Sequence, residues 1–346
     1  MTDALKAAAA GRGTHTEHNF ALDGGATLPK ADVAWLSMGR LNADASNAVM
    51  VTHGYTSSHS FIEEGSAAAE GSWSGLVGPG KAIDTNKYFV VSSNALGSCY
   101  GSSGPRSINP ATGVAFGPNF PAVRFSDIVR LQERLMASFG VNHLHAVVGV
   151  SMGGFQTLQW GVQYPDRVKR LVVALSALNG AFVRPGGTDT LGDSLRAEPA
   201  WNGGWPAPGA MVPFLTRLRT NTLLNYGMDA FLVAQGLDAP QRAARMHEMA
   251  AQWAAGFDAN SLVTLRDAIS HFDVSESCAA IRARLLLVLS STDALFPASR
   301  GEQTLAHLKA RGVDAQFFPL ESAFGHLASG LDWQGWETPL RQFLAA

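Results

Sequence analysis

The sequence predicts an α/β fold, with a mostly parallel sheet flanked by helices and interrupted by a helical insertion. Three observations carry this prediction. Compact β-rich runs alternate with amphipathic helical runs through the first half; a stretch from about 179 to 265 contains no β-run; and β-rich runs then resume. The 346 residues suit one large α/β domain with an insertion.

Taken in order, "AVMVTH" (48–53), "KYFVVSSN" (87–94) and "LHAVVGV" (144–150) read as strands buried on both faces. Between the last two, "SDIVRLQERLMASFGV" predicts a helix capped by Ser126, with Ile128, Leu131 and Leu135 on one face and Gly140 at its end. Phe155, Leu158 and Val162 mark a second helical face, followed by the strand-like "RLVVALSA" (170–177). Strand, helix and strand at this spacing imply right-handed crossovers and parallel pairing. The insertion begins with "VRPGGTDTLGD" and "AEPAWNGGWPAPG" and continues in helical stretches rich in Ala, Leu, Met and Arg. The strand-like "ARLLLVLS" (283–290) and "AQFFPLES" (315–322) flank a helical "RGEQTLAHLKARG". The expected organisation is a core of 15–178 and 266–346, a helical cap over 179–265, and a polar tail over 1–14.

Composition narrows the function. Hydrophobic residues are 46% and charged residues 16%, so a substantial core forms. A net charge of −2 without a Lys/Arg run gives no footprint for nucleic acid or an anionic membrane. No apolar run is long enough to span a bilayer, and the N-terminal "MTDALKAAAAGRG" lacks the pattern of a signal peptide. Two distant cysteines, Cys99 and Cys278, suggest a cytoplasmic protein without a disulfide framework.

The chemistry-bearing motif is "GVSMGG" (149–154). Gly-x-Ser-x-Gly is compatible with an ordinary tight turn, but a strand before it and a helix after it are the context of a nucleophile. In such a turn the serine is strained and lifted over the carboxyl edge of the sheet, while Gly149 and Gly153 remove Cβ atoms that would meet neighbouring chain. Ser151 is the candidate nucleophile. A serine needs a base and the base needs an orienting group, in the chain order Ser, acid, His. Asp293 follows "LLLVLS" and His326 follows "FFPL", so both lie in loops expected at the same sheet edge as Ser151. His271 and Asp273 form a rival pair, but within the helical region. His53 follows a strand in "THGYT", where an oxyanion loop is expected; the amides of Tyr55 and Met152 are the candidate donors, and Gly54 permits close approach. No cluster at metal-ligand spacing is present in the sequence, so no metal is expected. Trp201, Trp205 and Trp253 are candidates for the cap wall or its packing.

Several stretches resemble the homoserine O-acetyltransferase family of α/β-hydrolases: "SWSGLVGPGKAIDTNKYFVVSSNALGSCYGSSGPRSINPATG", "GVSMGGFQTLQWGVQYPDRV", "AEPAWNGG", "DALFP" and "FGH". The resemblance implies an α/β-hydrolase fold, a triad of Ser151, Asp293 and His326, an oxyanion donor at Tyr55, acetyl-CoA as acyl donor, and a homodimer formed through the cap. Tyr55 stands where the family commonly has an aliphatic residue, and two acceptor-binding positions also depart from the family pattern. Leu327 stands where the family has an Asp that holds the acceptor's ammonium, and Gly192 aligns with an Arg that clasps its carboxylate, with Arg196 one turn later. Desolvating two full charges without partners costs several kcal/mol, so homoserine is an unfavourable acceptor. Leu327 and Gly54 are therefore expected to line a less polar substrate pocket. The reading that follows is a serine carboxylic ester hydrolase acting on short-chain acyl esters, without a cofactor. The alternative is an acetyl-CoA-dependent O-acetyltransferase with a different or uncharged acceptor; a binding-only protein would have no need for the full triad.

Overall fold

A computed structural model describes residues 9–66, 71–184 and 188–346. The opening residues of the expected tail and part of "VRPGGTDTLGD" lie outside the described residues. Eight strands form one sheet: β1 (Ala9–Ala21), β2 (Thr27–Arg40), β3 (Ala48–Thr52), β4 (Phe89–Ser93), β5 (Ala146–Val150), β6 (Arg170–Ala174), β7 (Arg284–Ser290) and β8 (Ala315–Leu320). Their spatial order is β1-β2-β4-β3-β5-β6-β7-β8. Strands β3 to β8 pair in parallel, whereas β2 runs antiparallel to both β1 and β4.

The strands of the parallel centre are continuous apolar runs because both of their faces are covered. Every residue of β3, β4 and β5 is buried. On one face the core joins Met50, Val91, Val147 and Val173 to helices α1 (Phe125–Ser138) and α2 (Met152–Gln163). On the other, Val49, Val51, Val148 and Val172 pack with Trp73, Trp336 and Leu340.

Three sequence expectations require correction. The polar tail does not extend to residue 14, because Ala9–Ala21 is an edge strand with His15 opposite Val33. Its Gly, Thr and His residues give no clear alternation, and pairing with β2 rather than intrinsic pattern makes it a strand. Ser126 does not cap α1. The helix starts two residues earlier than such a cap would place it, with Arg124 as its cap and Phe125 buried, and the Asp127 carboxylate accepts the Arg124 amide at 2.9 Å. Ser126 Oγ instead donates to Asp23. Gly140 does end this helix, at φ +78°.

The region between β6 and β7 holds α3 (Thr190–Ala197), α4 (Val212–Asn225), α5 (Met228–Ala234), α6 (Ala239–Gly256) and α7 (Ala259–Ser270). The third correction is its boundary: α7 runs through residue 265 to Ser270 as one helix, so a division at 265 would cut it.

The β5–α2 junction depends on missing side chains. A Cβ on Gly149 would lie 2.2 Å from the Gly153 carbonyl, and one on Gly153 would lie 2.1 Å from the Thr52 carbonyl. Both obstacles are backbone, so neither can move aside cheaply. Gly153→Ala is expected to destabilise the protein by at least about 3 kcal/mol in urea unfolding. Gly256→Ala, where nothing lies within 4 Å of the added Cβ, should be neutral or slightly stabilising.

Candidate active site

Ser151 occupies the turn between β5 and α2 with φ 56° and ψ −121°, outside the relaxed regions for an L-residue. Its amide donates to the Ala174 carbonyl at 2.9 Å, which fixes the turn against β6. The strain lifts Oγ out of the strand line and toward His326, whose Nε2 is 2.9 Å away. His326 lies in a helical turn, Gly325–Leu327, beyond β8. Its Nδ1 is 2.8 Å from Asp293 Oδ2, in the loop after β7. The sheet thus gathers three residues from three strand ends. The two loops are tied together as well, because Thr292 Oγ1 donates to the Ser322 carbonyl at 2.7 Å and accepts the Gly325 amide at 3.0 Å.

These groups are buried: Ser151 is 7% exposed, Asp293 2% and His326 1%. Burial alone pushes the Asp293 carboxyl upward. The His326 ring beside it, its hydrogen bond, and the amides of Leu295 and Phe296 outweigh burial and hold the pKa below the usual carboxylate value. An ionised Asp293 accepts the Nδ1–H of His326, which leaves the Nε2 lone pair facing the serine hydroxyl. The edge of Tyr226 approaches the imidazole with a centroid distance of 4.6 Å, and Phe296 lies 5.7 Å away on another side.

Above Ser151 opens a cavity of about 430 Å³. Tyr55 and Met152 both line it, alongside Phe155, Phe182 and Leu218. Met152 begins α2, so its amide has no acceptor within the helix. Of the three tryptophans, Trp253 reaches the wall, Trp201 packs within the insertion, and Trp205 is 45% exposed.

The expected lining residues Leu327 and Gly54 do not face this cavity. Leu327 is fully buried in a cluster with Leu223, Met228, Leu232 and Met246, so it fastens the insertion to the His326 loop. Its own amide reaches the Phe324 carbonyl at 3.0 Å and the Tyr226 carbonyl at 3.3 Å. Gly54 lies within the loop that leaves β3, where its carbonyl accepts from the His53 ring and from the Ser57 amide. Arginine nevertheless reaches the cavity, from positions other than the two the sequence singles out. Gly192 sits in the first turn of α3 and Arg196 pairs with Asp193 on the surface, but Arg219 and Arg266 come from α4 and α7 to line the cavity. Arg219 is 3% exposed, lies 5.5 Å over the Trp253 ring and reaches Thr56 Oγ1 at 3.3 Å. Arg266 binds Asp189 at 2.6 Å. No sequence motif marks these residues, since helix packing alone turns them inward.

The rival pair lies elsewhere: His271 is bound to the Asp267 carbonyl on the surface, and neither it nor Asp273 lines the cavity. His53 is fully buried and holds the loop, with Nδ1 donating to the Gly54 carbonyl at 2.8 Å and Nε2 accepting the Ala95 amide at 3.0 Å. Cys99 and Cys278 are free thiols. Among the described residues no group of His, Cys, Asp and Glu could hold a metal ion, and no helix is long and apolar enough to cross a membrane.

A strand-end serine, an imidazole and a carboxylate over a doubly covered parallel sheet define the α/β-hydrolase class, and the α/β hydrolase fold family matches residues 47–204. The homoserine O-acetyltransferase of Caulobacter vibrioides is 33% identical over 94% of this chain and 92% of its own length. The chain belongs to the homoserine O-acetyltransferase family. Among solved structures it is similar to esterase E22, with a TM-score of 0.85 and 25% identity, covering 97% of this chain and all of that one. It is also similar to the acetyl esterase MekB, with a TM-score of 0.81 and 26% identity over 97% of each chain. These relationships place it among α/β-hydrolase enzymes that act as acyltransferases or esterases.

Burial lowers the His53 pKa from 6.5 to about 4, against the opposing hydrogen bond to Gly54. The unfolded chain takes up this proton below pH 6.5 while the folded protein does not, so stability falls as the pH drops from 6.5 towards 4. The loss from His53 alone should approach about 3 kcal/mol. Urea unfolding across this range should show it, with a shallower slope for His53→Gln.

Proposed function

We propose that the protein is a serine carboxylic ester hydrolase that works through an acyl-enzyme on short-chain acyl esters. The observation that carries this reading is the cavity wall: among the described residues, none of those lining it is Asp or Glu. An amino-acid acceptor would leave its ammonium there without a carboxylate, at a cost of several kcal/mol. Water and small neutral alcohols carry no such penalty. The cavity volume of about 430 Å³ suits a small ester, and the likeness to esterase E22 and acetyl esterase MekB supports the same reading.

In this mechanism His326 Nε2 takes the Ser151 proton as Oγ bonds to the acyl carbon. The carbonyl oxygen becomes negative and accepts from the amides of Tyr55 and Met152. Asp293 holds the imidazolium without taking its proton. The bond to the leaving alcohol then breaks as His326 returns the proton to its oxygen. Water repeats the sequence: it loses a proton to His326, its oxygen attacks the acyl carbon, and Ser151 Oγ leaves reprotonated.

The second reading is an acetyl-CoA-dependent O-acetyltransferase with an acceptor other than homoserine. The curated relatives support acetyl transfer, including the homoserine O-acetyltransferase of Caulobacter vibrioides, while the cavity wall without Asp or Glu argues against homoserine as acceptor. It uses the same residues, with acetyl-CoA as acyl donor and no cofactor. In either case the partners are small molecules, and the exposed Leu224 and Val233 on α4 and α5 support a homodimer formed through the insertion.

Wild-type protein is expected to turn over p-nitrophenyl acetate without any gain from homoserine and to use acetyl-CoA poorly. Ser151→Ala should abolish release of p-nitrophenol, and Asp293→Asn should lower kcat by about 10⁴-fold. Homoserine-dependent thiol release from acetyl-CoA at comparable rates would overturn the esterase reading. For the homodimer, light scattering should return about twice the chain mass of 36.6 kDa.

A further inference from the structure

We infer that the helical insertion sets the geometry of the oxyanion loop, with the Tyr55 phenol and the Trp253 indole as its positioning residues. The inference rests on the assignment of the Tyr55 amide as an oxyanion donor. Residues 53–57 leave β3 beside Ser151 without helix or strand to hold them. The core secures one end of this loop, through the His53 ring and through Gln156 Nε2, which donates to the His53 carbonyl at 3.3 Å. The other end is secured from above. Tyr55 Oη donates to the Leu262 carbonyl on α7 at 2.6 Å, across 207 residues of sequence. Trp253 Nε1 on α6 donates to the Thr56 carbonyl at 3.0 Å.

The two tethers act on the donor residue itself and on the residue that follows it. They differ from general packing in this respect, since each is a directional bond from the insertion to the short segment that carries the amide. Trp253 is in turn fixed by stacking on Phe257, with ring centroids 4.6 Å apart. An oxyanion donor acts only when it lies about 2.7–3.1 Å from the oxygen that becomes charged. A displacement of about 1 Å can cost about 100-fold in rate. Loop and insertion therefore act as one unit: the amide is aligned while α6 and α7 are docked and loses alignment when these bonds are cut. The bonds concern charge that develops during reaction, so their loss should appear in kcat rather than in KM.

The test uses the full chain with Tyr55→Phe, which keeps the ring and removes the hydroxyl, and Trp253→Phe, which keeps an aromatic ring but removes the indole N–H and part of its volume, and Ser151→Ala as the blank. Each Phe variant is expected to lower kcat for p-nitrophenyl acetate by about 10- to 100-fold with KM within about twofold. Affinity for phenylboronic acid, whose tetrahedral adduct on a serine places an oxygen in the hole, should fall by a similar factor. Thermal midpoints measured in parallel separate this from a purely structural role, in which stability falls and the kcat of the folded fraction does not. Unchanged kcat and boronate affinity in both variants would overturn the inference, provided that wild type binds the boronate and Ser151→Ala is inactive. An active Ser151→Ala, or a wild type that fails to bind the boronate, would instead remove the esterase mechanism beneath it.

Discussion

The approach of the Ser151 turn to the end of β3 is the constraint on which the site depends. Gly149 and Gly153 bring β5 and the start of α2 so close to Thr52 that a single Cβ would collide with backbone. Thr52 Oγ1 seals the contact by donating to the Gly153 carbonyl at 2.8 Å. The same closeness places the loop leaving β3 beside the amide that opens α2. Ser151 and the loop that carries Tyr55 are thus brought side by side by this packing, and the strained dihedrals of Ser151 persist because the surrounding sheet leaves no relaxed alternative.

Electrostatics follow from that arrangement. A carboxylate as buried as Asp293 would be costly alone, yet the imidazole and two amides keep it ionised. His53 resolves the opposite problem by staying neutral and using both ring nitrogens on backbone groups. One histidine is placed to exchange protons with Ser151 and the other fixes a loop, although both follow strands in the sequence. Their difference lies in their neighbours, since His326 faces a carboxylate and a hydroxyl whereas His53 faces a carbonyl and an amide.

The helical insertion is fastened to both sides of the site. On the side of His326, Leu327 enters an apolar cluster of the insertion and its amide meets the Tyr226 carbonyl. On the opposite side, Tyr55 and Thr56 bond to α7 and α6. The residue after the histidine therefore contributes adhesion between insertion and core rather than cavity surface. Charge within the cavity comes instead from Arg219 and Arg266, which stand on helices outside the loops that carry Ser151, Asp293 and His326.

Local pattern was sufficient for much of this protein. The apolar runs of β3 to β7 mark buried parallel strands, whereas β8 is a partly exposed edge strand, and Gly-x-Ser-x-Gly between a strand and a helix marks the elbow, because these signals arise within a few residues. Asp293 and His326 were legible for a related reason: loops after parallel strands open at a common edge. The edge strand β1, with its weak alternation, became a strand only through pairing with β2. The orientation of Leu327, the inward turn of Arg219 and Arg266, and the tethers on Tyr55 and Thr56 depend on helices between 190 and 270 docking over the sheet. Sequence by itself determined which groups stand at the carboxyl edge. The tertiary structure decided which of their neighbours face the cavity, because that depends on contacts between segments that no local periodicity encodes.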